Sequence, residues 1–171
     1  MTIEEEVAGL LQQKRLTIAT AESCTGGLVA ARLVSVPGVS EVFMEGLVTY
    51  SNQAKMRLLG VKEATLASFG AVSRETAVEM AEGGRRQAET DVCVSTTGIA
   101  GPDGGTEEKP VGLVYMACCV NGRTAVKRCQ FSGDRQQIRG QAAETALALV
   151  RSCLLAEPET LAEENQGRGE N

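Results

Sequence analysis

Leu16-Thr17-Ile18-Ala19-Thr20 leads directly into Ala21-Glu22-Ser23-Cys24-Thr25-Gly26-Gly27, and this stretch decides how the chain folds. Its first five residues are mostly apolar or β-branched, which predicts a β-strand. The glycines and the apolar residues that continue to Val34 predict the start of a helix. A strand that passes directly into a helix is typical of a crossover unit, so the stretch indicates an α/β fold with parallel strands.

Ser23 and Cys24 lie where this predicted strand meets the predicted helix. A helix N-terminus offers unpaired amides and the positive end of the dipole, which favour an oxyanion, a phosphate or an activated nucleophile. The chain contains no histidine, which excludes Ser-His-Asp and Cys-His mechanisms and His-ligated metal sites. If Ser23 is a nucleophile, its base must be a lysine, a tyrosine or a carboxylate. A capped turn without function is the alternative interpretation.

The rest of the pattern predicts alternating helices and strands, followed by a hairpin at Asn121-Gly122. We therefore predict a three-layer α/β/α sandwich with a mixed, mostly parallel five-stranded sheet and a late antiparallel hairpin. The predicted helices cover residues 2–14, 26–34, 51–59, 62–68, 73–88 and 134–155, and the predicted strands cover residues 16–20, 42–50, 91–97, 111–120 and 124–131.

Composition narrows the class of protein. With 171 residues, 43% of them hydrophobic, we expect one domain over residues 1–156 and an acidic, disordered tail over residues 157–171. The near-neutral body and 3% aromatic content argue against nucleic-acid binding. No apolar run has membrane-spanning length and the acidic start does not resemble a signal peptide, so we expect a cytoplasmic protein without a membrane partner. Six cysteines without metal-ligand spacing predict buried thiols, no metal site and no cofactor.

Three later segments are predicted to face the same crevice as Ser23, because the carboxyl ends of parallel strands meet at one edge of a sheet. Tyr50 and Lys55 follow the second strand. Desolvation would lower the pKa of Lys55 and allow it to act as a base. The alternative is a solvated surface lysine, as most lysines are. The glycine-rich segment 98–110 follows the third strand and can bring backbone amides to a ligand. Arg135 and Arg139 lie one turn apart at a helix start, where they could hold a phosphate or form an ordinary charged surface.

Six motifs together resemble the C-terminal domain of the competence/damage-inducible protein CinA, a family that includes stand-alone nicotinamide-nucleotide amidases. The resemblance runs from about residue 5 to residue 155. The motifs are Ala21-Glu22-Ser23-Cys24-Thr25-Gly26-Gly27, Val48-Thr49-Tyr50-Ser51-Asn52-Gln53-Ala54-Lys55, Gly70-Ala71-Val72-Ser73, Gly98-Ile99-Ala100-Gly101-Pro102-Asp103-Gly104-Gly105, Lys109-Pro110-Val111-Gly112 and Phe131-Ser132-Gly133-Asp134-Arg135.

The resemblance implies hydrolysis of the carboxamide of nicotinamide mononucleotide to nicotinic acid mononucleotide and ammonia, together with the three-layer fold predicted above. It places the nucleophile at Ser23, its partners at Tyr50 and Lys55, and a substrate-facing hydroxyl at Thr97. We expect an acyl-enzyme route in which Lys55 takes the Ser23 proton directly or through Tyr50, and no metal takes part. The expected substrate-binding residues are Glu22, Cys24, Thr25, Gly26, Gly27, Thr97, Gly98, Ala100, Gly101, Gly104, Gly105, Arg135 and Arg139.

This sequence departs from the family pattern in two ways. The N-terminal domain of full-length CinA proteins is not part of this sequence, so we expect no pyrophosphatase activity from it. Phe69 occupies a position where many members carry a histidine.

There are two competing hypotheses for the function. One is a non-catalytic pyridine-nucleotide-binding regulatory module, and the other is a cysteine hydrolase that uses Cys24. The sequence leaves open whether the chain forms a homo-oligomer.

Overall fold

The computed structural model describes residues 1–156, and the predicted acidic tail lies outside the described residues. The described residues form helices α1 (Ile3–Lys14), α2 (Leu28–Val34), α3 (Asn52–Leu59), α4 (Glu63–Phe69), α5 (Arg74–Ala88) and α6 (Arg135–Leu155). They form strands β1 (Ile18–Glu22), β2 (Phe43–Val48), β3 (Val92–Gly98), β4 (Leu113–Val120) and β5 (Arg123–Gln130). No helix in this range is long and apolar enough to cross a membrane.

The five strands form one mixed sheet in the order β2-β1-β3-β4-β5. β1 pairs in parallel with both β2 and β3, while β4 runs antiparallel to β3 and to β5. The predicted sheet and its late hairpin are therefore confirmed. The carboxyl ends of β1, β2 and β3 meet at one edge of the sheet, which brings together the segments that follow them.

Helices cover both faces of this sheet. α1, α2 and α6 pack together on one face, and α5 packs on the other with α3 and α4 beside it. Every residue of β1 is buried, because this central strand has a helical layer on each side. Ile18 belongs to the apolar cluster under α6, whereas Ala19 and Ala21 belong to the cluster under α5. The predicted three-layer sandwich is confirmed.

The second helix starts later than predicted. Gly26 and Gly27 have φ angles of 59° and 97°, so they form a left-handed turn before α2 begins at Leu28. Glycine adopts this conformation without the steric cost that a side chain imposes. The residues after Ser23 are therefore a tight turn rather than the first turn of a helix.

Two glycines allow α5 to pack closely against its neighbours. A Cβ atom on Gly83 would lie 1.7 Å from the carbonyl oxygen of Leu59, the last residue of α3. A Cβ atom on Gly84 would lie 2.6 Å from the Sγ of Cys93 on β3. α5 continues through both glycines despite their low helix propensity. The missing side chain of Gly83 lets α5 approach α3, and that of Gly84 lets α5 approach the sheet.

Candidate active site

The centre of the site is a contact between Ser23, directly after β1, and Lys55 in the first turn of α3. The Lys55 Nζ lies 3.0 Å from the Ser23 Oγ and donates to the carbonyl oxygens of Thr49 (2.8 Å) and Tyr50 (3.4 Å). Lys55 is only 1% exposed and Ser23 only 8%. The local sequence produces this geometry because Ser51 caps α3, accepting a hydrogen bond from the amide of Ala54, and so starts the helix beside the end of β1.

Burial lowers the pKa of Lys55, because a buried ammonium loses its hydration. Within residues 1–156, no carboxylate forms an ion pair with Lys55 that would reverse this effect. A neutral amine has two hydrogens and one lone pair. It can therefore donate to the Thr49 and Tyr50 carbonyls while it accepts the proton of Ser23. A serine hydroxyl beside a neutral lysine amine can be activated for nucleophilic attack in this way.

Cys24 has the opposite electrostatic character. Burial raises the pKa of its thiol to about 11, and the nearby Glu22 carboxylate acts in the same direction. The thiolate is the nucleophilic form of cysteine, so a thiol with this pKa is a weak nucleophile near neutral pH. The site therefore favours Ser23 over Cys24 as the attacking group.

Glu22 and Thr25 were predicted to bind substrate, but neither lines the cleft. The Glu22 carboxylate accepts hydrogen bonds from the amides of Val29 (2.8 Å) and Ala30 (3.1 Å) and from the Thr25 hydroxyl (2.6 Å). The Thr25 hydroxyl also lies 2.7 Å from that of Thr96 on β3. Both side chains are fully buried and hold the start of α2 against the sheet, so they position the Ser23 turn and do not line the cleft.

Arg135 and Arg139 make hydrogen bonds in different parts of the site. Arg135 donates to the carbonyl oxygen of Gly101 (2.7 Å) and to the hydroxyl of Tyr50 (3.0 Å), at the mouth of the cleft. Arg139 lies behind the turn and donates to the carbonyl oxygens of Cys24 (3.1 Å) and Thr25 (2.8 Å). Arg135 can reach a ligand in the cleft, whereas Arg139 secures the turn that carries Ser23.

The hydroxyl of Tyr50 does not lie between Lys55 and Ser23. It accepts from Arg135, and the residue is 62% exposed, whereas its backbone carbonyl is the atom that contacts Lys55. Of the two routes expected for the proton, the contact in the structure is the direct one from Ser23 to Lys55.

A cleft of about 170 Å³ opens over Ser23. Its described lining consists of Ser23, Cys24, Tyr50, Asn52, Lys55, Ala71, Val72, Thr97, Gly98, Ala100 and Arg135. The wall formed by Ala71 is tied to β3, since the Thr97 hydroxyl donates to its carbonyl oxygen at 2.7 Å. Asn52, Ala71 and Val72 were not predicted to line the site, although all three lie within the motifs that carry the resemblance.

Five of the expected glycines do not line the cleft. Gly26 and Gly27 shape the turn through their positive φ angles. Gly101 and Gly105 make room for the side chain of Val111, whose Cγ atoms would lie 2.5 and 2.9 Å from added Cβ atoms. These residues, with Gly104 (φ 90°), shape the loop and the turn around the site.

Comparisons with known proteins agree on the family. The family model described as the CinA C-terminal domain matches residues 1–154. A CinA-like protein of Kosmotoga olearia is 61% identical over 90% of this chain and 37% of its own length. A protein of Clostridium acetobutylicum that is named as a competence-damage inducible protein is 55% identical over 88% of this chain and 36% of its own length. The chain thus spans little more than a third of these relatives.

Solved structures give the same answer. A CinA superfamily protein from Klebsiella pneumoniae superposes with a TM-score of 0.86 at 35% identity, covering 89% of this chain and 95% of that chain. A competence/damage inducible protein from Agrobacterium tumefaciens superposes with a TM-score of 0.78 at 43% identity, covering 96% of each chain. The chain belongs to the CinA C-terminal domain family.

Proposed function

We propose that this chain is a nicotinamide-nucleotide amidase, which hydrolyses the carboxamide of nicotinamide mononucleotide to a carboxylate and ammonia. The observation that carries the proposal is the buried Lys55 amine 3.0 Å from the Ser23 hydroxyl, at the base of a cleft. This pair can perform acyl transfer without histidine or metal. The choice of substrate rests on the family resemblance of the motifs around the cleft.

In the first step, neutral Lys55 accepts the Ser23 proton while Oγ attacks the carboxamide carbon. The negative charge moves to the carbonyl oxygen. The amides of Cys24 and Thr25 are candidate donors to this oxyanion, because neither donates to another residue within residues 1–156, whereas the Gly26 amide is bonded to the Ser23 carbonyl. One such donor contributes about 3 kcal/mol to transition-state stability.

To complete acylation, the Lys55 ammonium gives its proton to the leaving amine, and ammonia departs to leave an ester on Ser23. Lys55, neutral again, takes a proton from a water molecule that attacks this ester. The tetrahedral intermediate collapses as Lys55 returns its proton to Ser23, and the carboxylic acid that is released loses its remaining proton to solvent to give the carboxylate. The protons exchanged by Ser23, the leaving amine and the attacking water thus all pass through one amine that contacts the nucleophile directly.

The substrate's ribose and phosphate extend towards the mouth of the cleft. The cleft volume of about 170 Å³ is smaller than pockets that enclose a whole drug-sized ligand, so it suits the pyridine ring and carboxamide. Arg135 and Tyr50 stand at the opening, where a guanidinium can bind a phosphate and an aromatic side chain can contact the ring or ribose. Asn52 and Thr97 supply further polar groups on the wall.

A non-catalytic nucleotide-binding module is the competing function, and the buried lysine argues against it. A desolvated amine without a counter-ion costs stability, and such groups cluster at sites where chemistry needs a shifted pKa. Binding alone would not require Lys55 to contact a serine hydroxyl.

The test is ammonia release from nicotinamide mononucleotide by the purified chain. We expect Ser23→Ala to lower turnover by about three or more orders of magnitude while the substrate still binds, as for loss of a nucleophile. Cys24→Ala is the matched control and should keep most of the activity. Substrate binding without ammonia release by the unmodified chain would instead support the binding module, and loss of activity in Cys24→Ala alone would move the nucleophile to the thiol.

A further inference from the structure

The described lining of the cleft contains positive groups but no carboxylate. Among its described lining residues, Lys55 and Arg135 are the basic ones, and none is Asp or Glu. The Glu22 carboxylate, on the neighbouring turn, is bound by two backbone amides and a hydroxyl. Asp103, Glu107 and Glu108 of the glycine-rich loop are exposed and outside the lining. A cation placed beside Ser23 therefore meets no opposite charge from the cleft wall.

The substrate of the proposed reaction brings such a cation. When nicotinamide carries a ribose on its ring nitrogen, the ring is a pyridinium with one positive charge. The carboxamide is attached to that ring and must reach the Ser23 Oγ, which is 3.0 Å from the Lys55 Nζ. The ring charge and a protonated Lys55 would then be close neighbours in a site with a low effective dielectric.

We propose that the pyridinium charge of the substrate displaces the proton from Lys55, so that binding of a cationic carboxamide itself generates the base. The inference rests on the proposed function and deepens it. It makes the ring charge, and not only the carboxamide and phosphate, a feature that the site recognises. Neutral carboxamides of the same shape bind without converting Lys55 to its reactive form.

The other groups around Lys55 leave this coupling intact. The Cys24 thiol is a titratable neighbour of Lys55, and it is protonated near neutral pH. Tyr50, Arg135 and Arg139 are engaged in hydrogen bonds elsewhere around the cleft. On α5, which packs against α3, Glu79 binds the amide of Lys62 and the hydroxyl of Thr65, and Glu82 binds the hydroxyl of Thr124.

The size of the effect follows from Coulomb's law. Two unit charges about 6 to 12 Å apart at an effective dielectric near 20 shift a titration by about one to two pH units. Burial already lowers the pKa of Lys55 in the free protein, so the substrate acts on a group that has begun to favour its neutral form. The free protein then releases up to one proton when a cationic ligand binds.

The experiment measures proton release on binding. Ser23→Ala is titrated calorimetrically with nicotinamide mononucleotide, in buffers of different ionisation enthalpy, over a pH series from about 6.5 to 9.5, below the ordinary pKa of lysine. The second ligand is the benzamide C-riboside 5′-phosphate, which has the same carboxamide and phosphate on a neutral ring. We expect more protons to be released with the pyridinium ligand, and its affinity to rise with pH by about tenfold or more relative to the neutral ligand.

The double variant Ser23→Ala/Lys55→Met should abolish the difference between the two ligands, and the comparison of ligands on Ser23→Ala carries the test even if that double variant does not fold. Equal proton release and equal pH dependence for both ligands would overturn the inference and leave the proposed function standing. No binding of either ligand by Ser23→Ala, with no ammonia release by the unmodified chain, would remove the proposed function and the inference with it.

Discussion

Arg135 and Arg139 lie one helical turn apart, yet their hydrogen bonds give them different roles. Arg135 binds a loop carbonyl and the Tyr50 hydroxyl at the cleft mouth, which leaves further N–H donors for a phosphate. Arg139 binds the two carbonyls that follow Ser23. Loss of Arg135 should weaken substrate binding, whereas loss of Arg139 should displace the turn that positions the nucleophile.

We therefore expect Arg135→Ala to reduce kcat/KM for nicotinamide mononucleotide by about ten- to a hundredfold, as for a lost charge-assisted hydrogen bond. Nicotinamide riboside, which lacks the phosphate, should be affected much less. Arg139→Ala should instead lower kcat for both substrates to a similar degree. Steady-state kinetics of both variants with both substrates decide this. If Arg139→Ala proves selective for the phosphorylated substrate, the assignment of Arg139 to the turn is wrong.

At this scale, the sequence predicts which residues gather at the site better than it predicts what each side chain contacts. The approach of Lys55 to Ser23 follows from strand ends that share one edge of a parallel sheet. The contact of Arg139 with Cys24 and Thr25 joins residues more than 110 positions apart. It depends on the placement of α6 over the turn, which no local pattern contains.

Among the elements, α5 and α3 show how packing sets the position of the base. The Leu59 carbonyl sits against Gly83, and Lys55 lies one turn earlier on the same helix. A methyl group at position 83 would have to push α3 away, because a backbone oxygen 1.7 Å from the new Cβ cannot remain in place. Such a shift would also carry Lys55 away from Ser23.

We predict that Gly83→Ala lowers stability by about 1–3 kcal/mol through overpacking, even though alanine favours helices. It should also lower kcat more than it raises KM, because the Lys55 contact to Ser23 is lengthened. Thermal unfolding and ammonia release measure the two effects.

Gly9→Ala is the matched control, since Gly9 lies in α1 with no atom within 4 Å of an added Cβ. It should raise stability by about 0.5–1 kcal/mol and leave turnover unchanged. Equal behaviour of the two variants would contradict the role assigned to Gly83.

The elements were largely predictable because their end signals are local. The capping box of Thr2 and Glu5 starts α1 close to its predicted position, and the turn at Asn121-Gly122 joins the strands of the predicted hairpin. The predicted start of α2 was wrong, because glycines are compatible with both a helix start and a left-handed turn. The choice between them is made by Glu22, whose carboxylate binds amides two and three residues after Gly27.

In the whole molecule, the strand order determines which loops can meet. β1 lies between β2 and β3, so the turn after β1 is flanked by the segments that follow its two neighbours. Alternation of helices and strands predicts parallel pairing, but the β2-β1-β3 order is a property of the packed layers, since helices on both faces must be accommodated. The cleft is therefore a consequence of topology, and the chemistry within it is a consequence of the residues at the strand ends.

Folding a lysine into this cleft has a consequence for stability of the entire chain. Burial holds the pKa of Lys55 below its ordinary value in the folded protein, whereas the unfolded chain keeps a value of about 10.4. Between these two values the unfolded state binds more protons, so the contribution of Lys55 favours folding increasingly as pH rises. Below the folded-state pKa both states are protonated, and the full penalty of burying the ammonium applies.

We predict that the melting temperature of the unmodified chain rises relative to that of Lys55→Met as pH increases from about 7 towards 10, the window below the unfolded value. The difference between the two proteins is the informative quantity, because other groups titrate equally in both and the lost hydrogen bonds to Thr49 and Tyr50 add a constant. Lys62→Met, at an exposed position just before α4, provides the comparison and should give a flat difference. A Lys55→Met difference that is also flat would mean that Lys55 keeps its proton in the folded protein throughout this range. That result would contradict the lowered pKa of Lys55, and the charge of the bound substrate alone would then have to generate the neutral base.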